Sequence, residues 1–133
     1  MTIKDGVYKC CEFLLGKVAD TGWINLPLAD GITSYNSDST PQYRKIGNQI
    51  FLRGAFKGID SAETNKTIGV LPEGFRPPKG YPYVQNMSTK NGPNFVRYNI
   101  RSDGQIIMQQ NSYPFEQGAT NLWYPIDTNF LND

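Results

Sequence analysis

Apolar and polar residues alternate most clearly near the middle of the second half of the chain. Residues 94–100, NFVRYNI, place Val96, Tyr98 and Ile100 on one face of an extended segment, and the other face carries Arg97, Asn99 and Arg101. Successive side chains of a strand point to opposite faces of its sheet. A period of two therefore predicts a strand with one buried and one exposed face.

A turn signal follows this strand and predicts a hairpin. A three-residue loop, 102–104, with Gly104 in the left-handed region, would return the chain along 105–110. This register keeps apolar opposite apolar, whereas a two-residue loop would bring Arg101 opposite Ile106. The predicted pairs are Ile100 with Ile106, Tyr98 with Met108, Arg101 with Gln105 and Arg97 with Gln109.

A second hairpin is predicted earlier in the chain. Residues 42–46 lead into Gly47-Asn48, which suits a type II′ turn, and 49–57 would return as one continuous strand. One face of that strand would carry Ile50, Leu52, Gly54 and Phe56, and the other Phe51, Arg53, Ala55 and Lys57.

Shorter signals divide the rest of the chain. Residues 67–72, TIGVLP, predict a short strand that ends at Pro72, and the proline-rich segment 73–82 predicts a rigid connection. Residues 122–126, LWYPI, predict a last strand whose Pro125 favours an edge position. We interpret Trp23 as a core or interface anchor, and the segments 33–41 and 58–66 as polar loops.

These elements predict an all-β fold. Seven to nine short strands, with 13 glycines and 9 prolines between them, are typical of an antiparallel β-sandwich or a jelly-roll-like barrel. A length of 133 residues suits one domain. The opening residues 1–21 are harder to interpret, and we expect an extended or helical lead-in there, with the domain itself spanning 22–133.

Charge and composition exclude several classes of function. A net charge of +1 without a basic cluster argues against nucleic-acid binding and against electrostatic membrane binding. No apolar run approaches the ~20 residues of a membrane span, so we expect no membrane insertion. The adjacent Cys10 and Cys11 predict reduced, incidental thiols, made in a reducing cytoplasm.

The sequence lacks several residues and motifs that common catalytic mechanisms require. The sequence has no histidine, which excludes a Ser-His-Asp triad and a histidine-based metal site. No phosphate-binding glycine motif occurs, and we predict no cofactor, no metal and no catalytic residue. A glycosidase needs only two carboxylates, so a glycan depolymerase stays an alternative.

Aromatic residues beside amides and charges are the remaining positive feature. A flat ring supports the C–H face of a sugar, while charged and amide groups bind its hydroxyls. The alternative is that these aromatics fill the core or a subunit interface. The predicted ligand contacts are Tyr81, Tyr83, Arg97, Asp103, Tyr113 and Trp123.

Three segments in this order resemble a known family. They are GWINLPLADGITSYNSDSTPQYRKIGNQIFLRGAFKGI at 22–59, TIGVLPEGFRPP at 67–78, and the hairpin through RSDG at 101–104. They resemble the C-terminal head domain of receptor-binding and minor tail structural proteins from tailed phages of Gram-positive bacteria. The resemblance runs from about Gly22 to Trp123, and LPEGFRP looks structural within it.

The resemblance implies a β-sandwich or barrel that forms a homotrimer at the distal end of a tail fibre or baseplate. It implies a non-enzymatic, virion-borne protein, made in the host cytoplasm, that binds wall polysaccharide or teichoic acid and contacts other tail or baseplate proteins. On this reading, residues 1–21 are a neck remnant or lead-in. A structural knob that drives trimerisation without a ligand of its own stays an alternative.

Overall fold

The computed structural model describes residues 19–61, 63–90, 92–115 and 121–133, and these form eleven strands and one 3-10 turn. The strands are β1 Ile24–Asn25, β2 Thr33–Ser34, β3 Gln42–Ile46, β4 Gln49–Arg53, β5 Ala55–Lys57, β6 Lys66–Val70, β7 Tyr81–Met87, β8 Asn94–Ile100, β9 Gln105–Asn111, β10 Tyr124–Pro125 and β11 Thr128–Leu131. The 3-10 turn is Ser37–Ser39. Most of the predicted lead-in, with Cys10 and Cys11, lies outside the described residues.

The strands form three antiparallel sheets. Their orders are β1-β3-β4-β11, β10-β5-β2 and β6-β9-β8-β7. Every strand pairing is antiparallel, so the predicted all-β antiparallel class is confirmed. The described residues form eleven strands where seven to nine were expected, because several strands are only two residues long.

One hydrophobic core joins the three sheets. Aromatic rings make contacts between them. The ring centroids of Phe130 on β11 and Tyr81 on β7 lie 5.6 Å apart, and those of Phe56 on β5 and Tyr98 on β8 lie 6.3 Å apart. Phe56 also stacks on Tyr124 of β10, with the ring centroids 5.1 Å apart. The sheet β6-β9-β8-β7 thus packs against the other two sheets, in the manner of a sandwich.

The hairpin of β8 and β9 confirms most of the predicted register. Ile100 pairs with Ile106, Tyr98 pairs with Met108, and Gly104 has a φ of +93°. The predicted pairing of Arg97 with Gln109 is wrong. A bulge between Arg97 and Tyr98 shifts the register so that Arg97 pairs with Gln110, because one extra residue enters one strand there.

The hairpin of β3 and β4 confirms the two-residue turn. Ile46 pairs with Gln49, and Gly47 has a φ of +61°, as the first central position of a type II′ turn requires. The predicted continuous strand 49–57 is wrong. Gly54 has a φ of +108°, and there the chain leaves one sheet as β4 and enters another as β5.

Two strands were not expected from the sequence. The segment 81–87 forms β7, an edge strand of the sheet β6-β9-β8-β7, although its first residues were predicted as a rigid connection. The chain also continues beyond 122–126 into β11, which pairs with β4. Within 122–126 only β10 is strand, and its predicted edge position is confirmed.

The segment LPEGFRP packs as a structural element. Leu71 is fully buried, and its carbonyl accepts a hydrogen bond of 2.9 Å from Nε of Arg76. Phe75 lies edge-on to Tyr43 with the ring centroids 4.9 Å apart, and Gly74 takes a φ of +91°. The turn therefore closes one end of the core.

Trp23 lies outside that core. It is half-buried and does not belong to the buried hydrophobic cluster, so its interpretation as a core anchor is wrong, whereas its role as an interface anchor stays a prediction. The reason is that Trp23 precedes the edge strand β1 and lies beside polar side chains instead. Among the described residues no helix is long and apolar enough to cross a membrane.

Candidate functional site

An open polar groove of about 580 Å³ lies where β4 passes into β5. Its walls are the 3-10 turn, the kink at Gly54 and the loop between β10 and β11. Its volume falls in the range of about 300–1,000 Å³ that is usual for small-ligand sites. The lining residues are Ser37, Asp38, Ser39, Thr40, Gln42, Arg53, Gly54, Ala55, Pro125 and Asp127.

The floor of the groove depends on Gly54. A β-carbon at this position would lie 2.5 Å from the carbonyl oxygen of Thr40 and 2.7 Å from the Cα of Pro41. With its φ of +108°, the site is therefore restricted to glycine by both conformation and space. The close approach lets the strand pass beneath the 3-10 turn.

The 3-10 turn is fixed from both sides. Oδ1 of Asn36 accepts a 3.0 Å hydrogen bond from the backbone N–H of Asp38, which caps the turn. The N–H of Tyr35 donates to the carbonyl of Ala55 at 3.0 Å and ties the turn to β5. The short polar side chains of the turn therefore stand over the groove in a defined position.

Asp127 braces the opposite wall. Its Oδ1 accepts from the N–H of Gly54 at 3.1 Å, and its Oδ2 accepts from the side-chain amide of Gln85 at 3.3 Å. The N–H of Ile126 donates to the carbonyl of Gly54 at 2.9 Å. One carboxylate thus connects the kink, β7 and the loop that precedes β11.

A relay of side chains orients Arg53. Nε of Arg53 donates to Oε1 of Gln42 at 2.9 Å, and Nε2 of Gln42 donates to Oδ1 of Asn25 at 2.9 Å. The guanidinium carbon of Arg53 lies 4.0 Å from the ring centroid of Trp23, a cation–π contact. Arg53 is therefore held in position before any ligand arrives.

Trp23 is itself positioned by its neighbours. The guanidinium of Arg44 lies 5.7 Å from its ring and forms an ion pair with Asp20. The hydrogen bond from Arg44, with a second from the N–H of Gly22, lowers the pKa of the Asp20 carboxyl to about 2. The Trp23 ring consequently lies between the guanidinium groups of Arg44 and Arg53 at the edge of the groove.

Several lining groups have no protein partner within the described residues. They are the hydroxyls of Ser37 and Ser39, the carboxylate of Asp38 and the terminal Nη atoms of Arg53. Together they offer hydrogen-bond donors and acceptors around one cavity. Such a set suits a polyhydroxylated ligand.

The predicted contacts Tyr81 and Tyr83 lie together, but they face the core. Their rings are 5.7 Å apart on β7, and both side chains are half-buried. The hydroxyl of Tyr81 lies 3.2 Å from Oγ1 of Thr128, and that of Tyr83 donates to the carbonyl of Ile126 at 3.4 Å. Burial raises the pKa of Tyr83.

The other four predicted contacts are dispersed. Arg97 is exposed on β8 and donates to Oε1 of Gln109 at 2.9 Å, while Asp103 is exposed at the hairpin tip beside Arg101. Tyr113 is buried next to Phe115, and Trp123 is half-buried. None of the six lines the groove. As ligand contacts all six stay predictions.

The groove residues were missed because they come from three separate stretches of the chain, 37–42, 53–55 and 125–127. The segment 33–41 was interpreted only as a polar loop, and Arg53 only as one face of a strand. A signal was Gly54, which interrupts a strand pattern, since such glycines mark a bend or a close backbone approach. No group of three or more potential metal ligands occurs among the described residues.

Comparison with solved structures reveals a likeness to the head domain of phage bIL170, a receptor-binding domain of a lactococcal phage. The TM-score is 0.52 at 13% sequence identity, and the similarity covers 88% of this chain and 100% of the other. This chain has the fold of a phage receptor-binding head domain. No protein-family model and no curated protein matches the sequence.

The head-domain fold confirms the resemblance predicted from the sequence. The structural likeness extends over most of the chain, as did the three sequence segments. At 13% identity the head-domain likeness establishes the fold, whereas function is determined by the site that each chain builds on it. The chemistry of the groove therefore bears on what this chain binds.

Proposed function

We propose that this protein is a non-enzymatic host-recognition head of a phage tail fibre or baseplate, and that it binds a saccharide of the bacterial cell surface. The observation that carries this proposal is the head-domain fold, which is shared with a receptor-binding domain of a lactococcal phage. Location in the virion, at the distal tail, is part of the same proposal.

The chemistry of the groove supports a saccharide as the ligand. Ser37, Ser39 and Asp38 present free oxygens, and Arg53 presents free N–H groups in a fixed orientation. Trp23 adds an aromatic surface next to Arg53. Sugar rings need this combination, because hydroxyls require paired hydrogen bonds and the C–H face favours an aromatic ring.

Binding is favoured over hydrolysis, although the groove holds two carboxylates. A glycosidase of the usual kind needs a carboxylic acid that stays protonated near neutral pH in a desolvated environment. Asp38 and Asp127 are both exposed, and both oxygens of Asp127 already accept hydrogen bonds from Gly54 and Gln85. The glycan depolymerase is thus the weaker alternative.

Self-association into a homotrimer is the second part of the proposal. The outer face of the sheet β1-β3-β4-β11 carries Leu131, which is 54% exposed, and the half-buried Phe51 and Ile46, with Gln49 paired between Leu131 and Ile46. An exposed leucine on the outer face of a sheet is a candidate contact for a second copy of the chain. Three weak sites in one particle would bind a repetitive cell-surface polymer with increased avidity. The same face favours the ligand-free structural knob as the second candidate.

The test is retention of the purified protein on cell walls from a panel of Gram-positive bacteria, before and after removal of teichoic acid and polysaccharide. We expect retention on some walls and its loss after stripping, with no release of reducing ends. A protein that is retained on none of the walls would overturn host recognition and favour the structural knob.

Matched arginine variants locate the site. Arg53→Ala should abolish retention, because it removes the guanidinium in the groove, whereas Arg101→Ala, at an exposed hairpin tip outside the groove, should leave retention unchanged. Arg97→Ala and Trp123→Ala test the contacts predicted from sequence. If Arg97→Ala or Trp123→Ala is no longer retained on the walls while Arg53→Ala still is, the binding site lies outside the groove.

A further inference from the structure

The charged groups of the groove are unequal in number. One guanidinium, that of Arg53, faces two carboxylates, those of Asp38 and Asp127, so the fixed charge of the lining residues is −1. Lysine does not contribute to the lining. The electrostatic balance of the site therefore disfavours an anion.

The positions of these charges strengthen that conclusion. Arg53 already stacks on Trp23 and donates its Nε to Gln42, so only its terminal nitrogens are available to a ligand. The carboxylate of Asp38 has no partner among the described residues and opens into the groove as an acceptor. An entering phosphate would meet this acceptor without a donor between them, whereas a sugar hydroxyl would donate to it.

We infer that the groove receives an uncharged sugar residue of the cell-surface polymer, and that phosphate groups of such a polymer stay outside it. This inference rests on the proposed function and specifies its ligand. Asp38 accepts hydrogen bonds from adjacent hydroxyls, and the terminal nitrogens of Arg53 donate to other oxygens of the same ring. A wall polysaccharide fits this chemistry better than a teichoic acid backbone bound through its phosphodiesters.

The experiment is an NMR titration of the full chain at low salt with methyl glycosides of common hexoses and with the 6-phosphates of the same hexoses. We expect at least one uncharged glycoside to shift the amide signals of groove residues such as Ser39 and Gly54. Its 6-phosphate should bind at least about tenfold more weakly, because like charges a few ångströms apart repel by enough to change affinity on that scale. Equal or tighter binding of the phosphates would overturn the inference.

Two charge variants test whether the carboxylate of Asp38 itself weakens phosphate binding, or whether the loss of any negative charge has the same effect. Asp38→Asn keeps a side-chain oxygen but removes the charge. It should reduce the ratio of the affinity for the glycoside to the affinity for its 6-phosphate severalfold. Asp30→Asn, at an exposed aspartate outside the groove, should leave this ratio unchanged. An unchanged ratio in Asp38→Asn would contradict the inference.

Failure of the inference and failure of the proposed function give different results. If the protein is retained on walls but no uncharged sugar shifts the groove amides, host recognition stands and the inference is wrong. If the protein is retained on no wall and no sugar shifts any amide, the proposed function fails and the inference fails with it.

Discussion

Two arginines on neighbouring strands hold Trp23 at the edge of the groove. Arg53 lies against the ring and is oriented by Gln42, while Arg44 lies farther from the ring and is paired with Asp20. Each contact is at the surface, where an isolated ion pair contributes little to stability. Their effect is on orientation, because side chains that are restrained in advance lose less entropy on binding.

The ion pair of Asp20 and Arg44 predicts a measurable titration. Since the folded pKa of Asp20 is lowered from 3.8 to about 2, the stabilisation is complete above pH about 3.8 and is lost as the pH falls towards 2. Carboxyl ¹³C NMR should report a midpoint near 2 in the wild type. Arg44→Met should move it towards 3.8, and Lys45→Met should not. An unmoved midpoint in Arg44→Met would contradict the assignment.

The kink between β4 and β5 determines the groove at the scale of elements. One strand pattern is divided between two sheets, since Gly54 turns the chain beneath the backbone of Thr40 and Pro41. Asp127 and Ile126 then bind the kink from the loop between β10 and β11. The groove exists because three elements meet at a backbone conformation that only glycine adopts readily.

Gly54→Ala should destabilise the protein by about 2 kcal/mol or more, because the added methyl group meets rigid backbone in a strained conformation. Gly22→Ala is the control. Gly22 has a φ of +67° with open space around it, so only the conformational cost of about 1 kcal/mol is expected. Urea denaturation of the two variants measures both values. Equal losses would show that contact with Thr40 does not matter.

At the scale of the whole molecule, the outer face of one sheet carries both the groove and the proposed contact between copies. The face of β1-β3-β4-β11 carries the groove at one end, through Gln42 and Arg53, and the apolar Leu131 and Ile46 on either side of Gln49 at the other. A trimer built on the apolar end would leave the groove accessible. Three grooves would then be carried by one particle.

Sedimentation equilibrium should give a mass three times that of the chain. Leu131→Asp should reduce the particle to a monomer, because it introduces a charge at the proposed contact between copies. Val84→Asp is the matched control: Val84 is 57% exposed on an outer face of the other large sheet, and its change should leave the trimer intact. A wild-type monomer would contradict the proposed assembly.

Local patterns accounted for the two hairpins and for much of the core. Alternation identified the buried Val96, Tyr98 and Ile100, and the turn residues predicted both loops, since hairpin register depends on neighbours in the chain. The same patterns missed β7 because prolines flank and enter it. Pro82 is compatible with a strand there only because β7 is an edge strand.

The sequence by itself determined the all-β class, the two hairpins, the buried face of β8 and the structural character of LPEGFRP. These features depend on contacts between residues close in the chain or on a strict period of two. Only the tertiary structure decided where β4 ends, that β11 pairs with it, and that Asp38, Arg53 and Asp127 share one groove. Those features depend on contacts between distant segments, which no local pattern encodes.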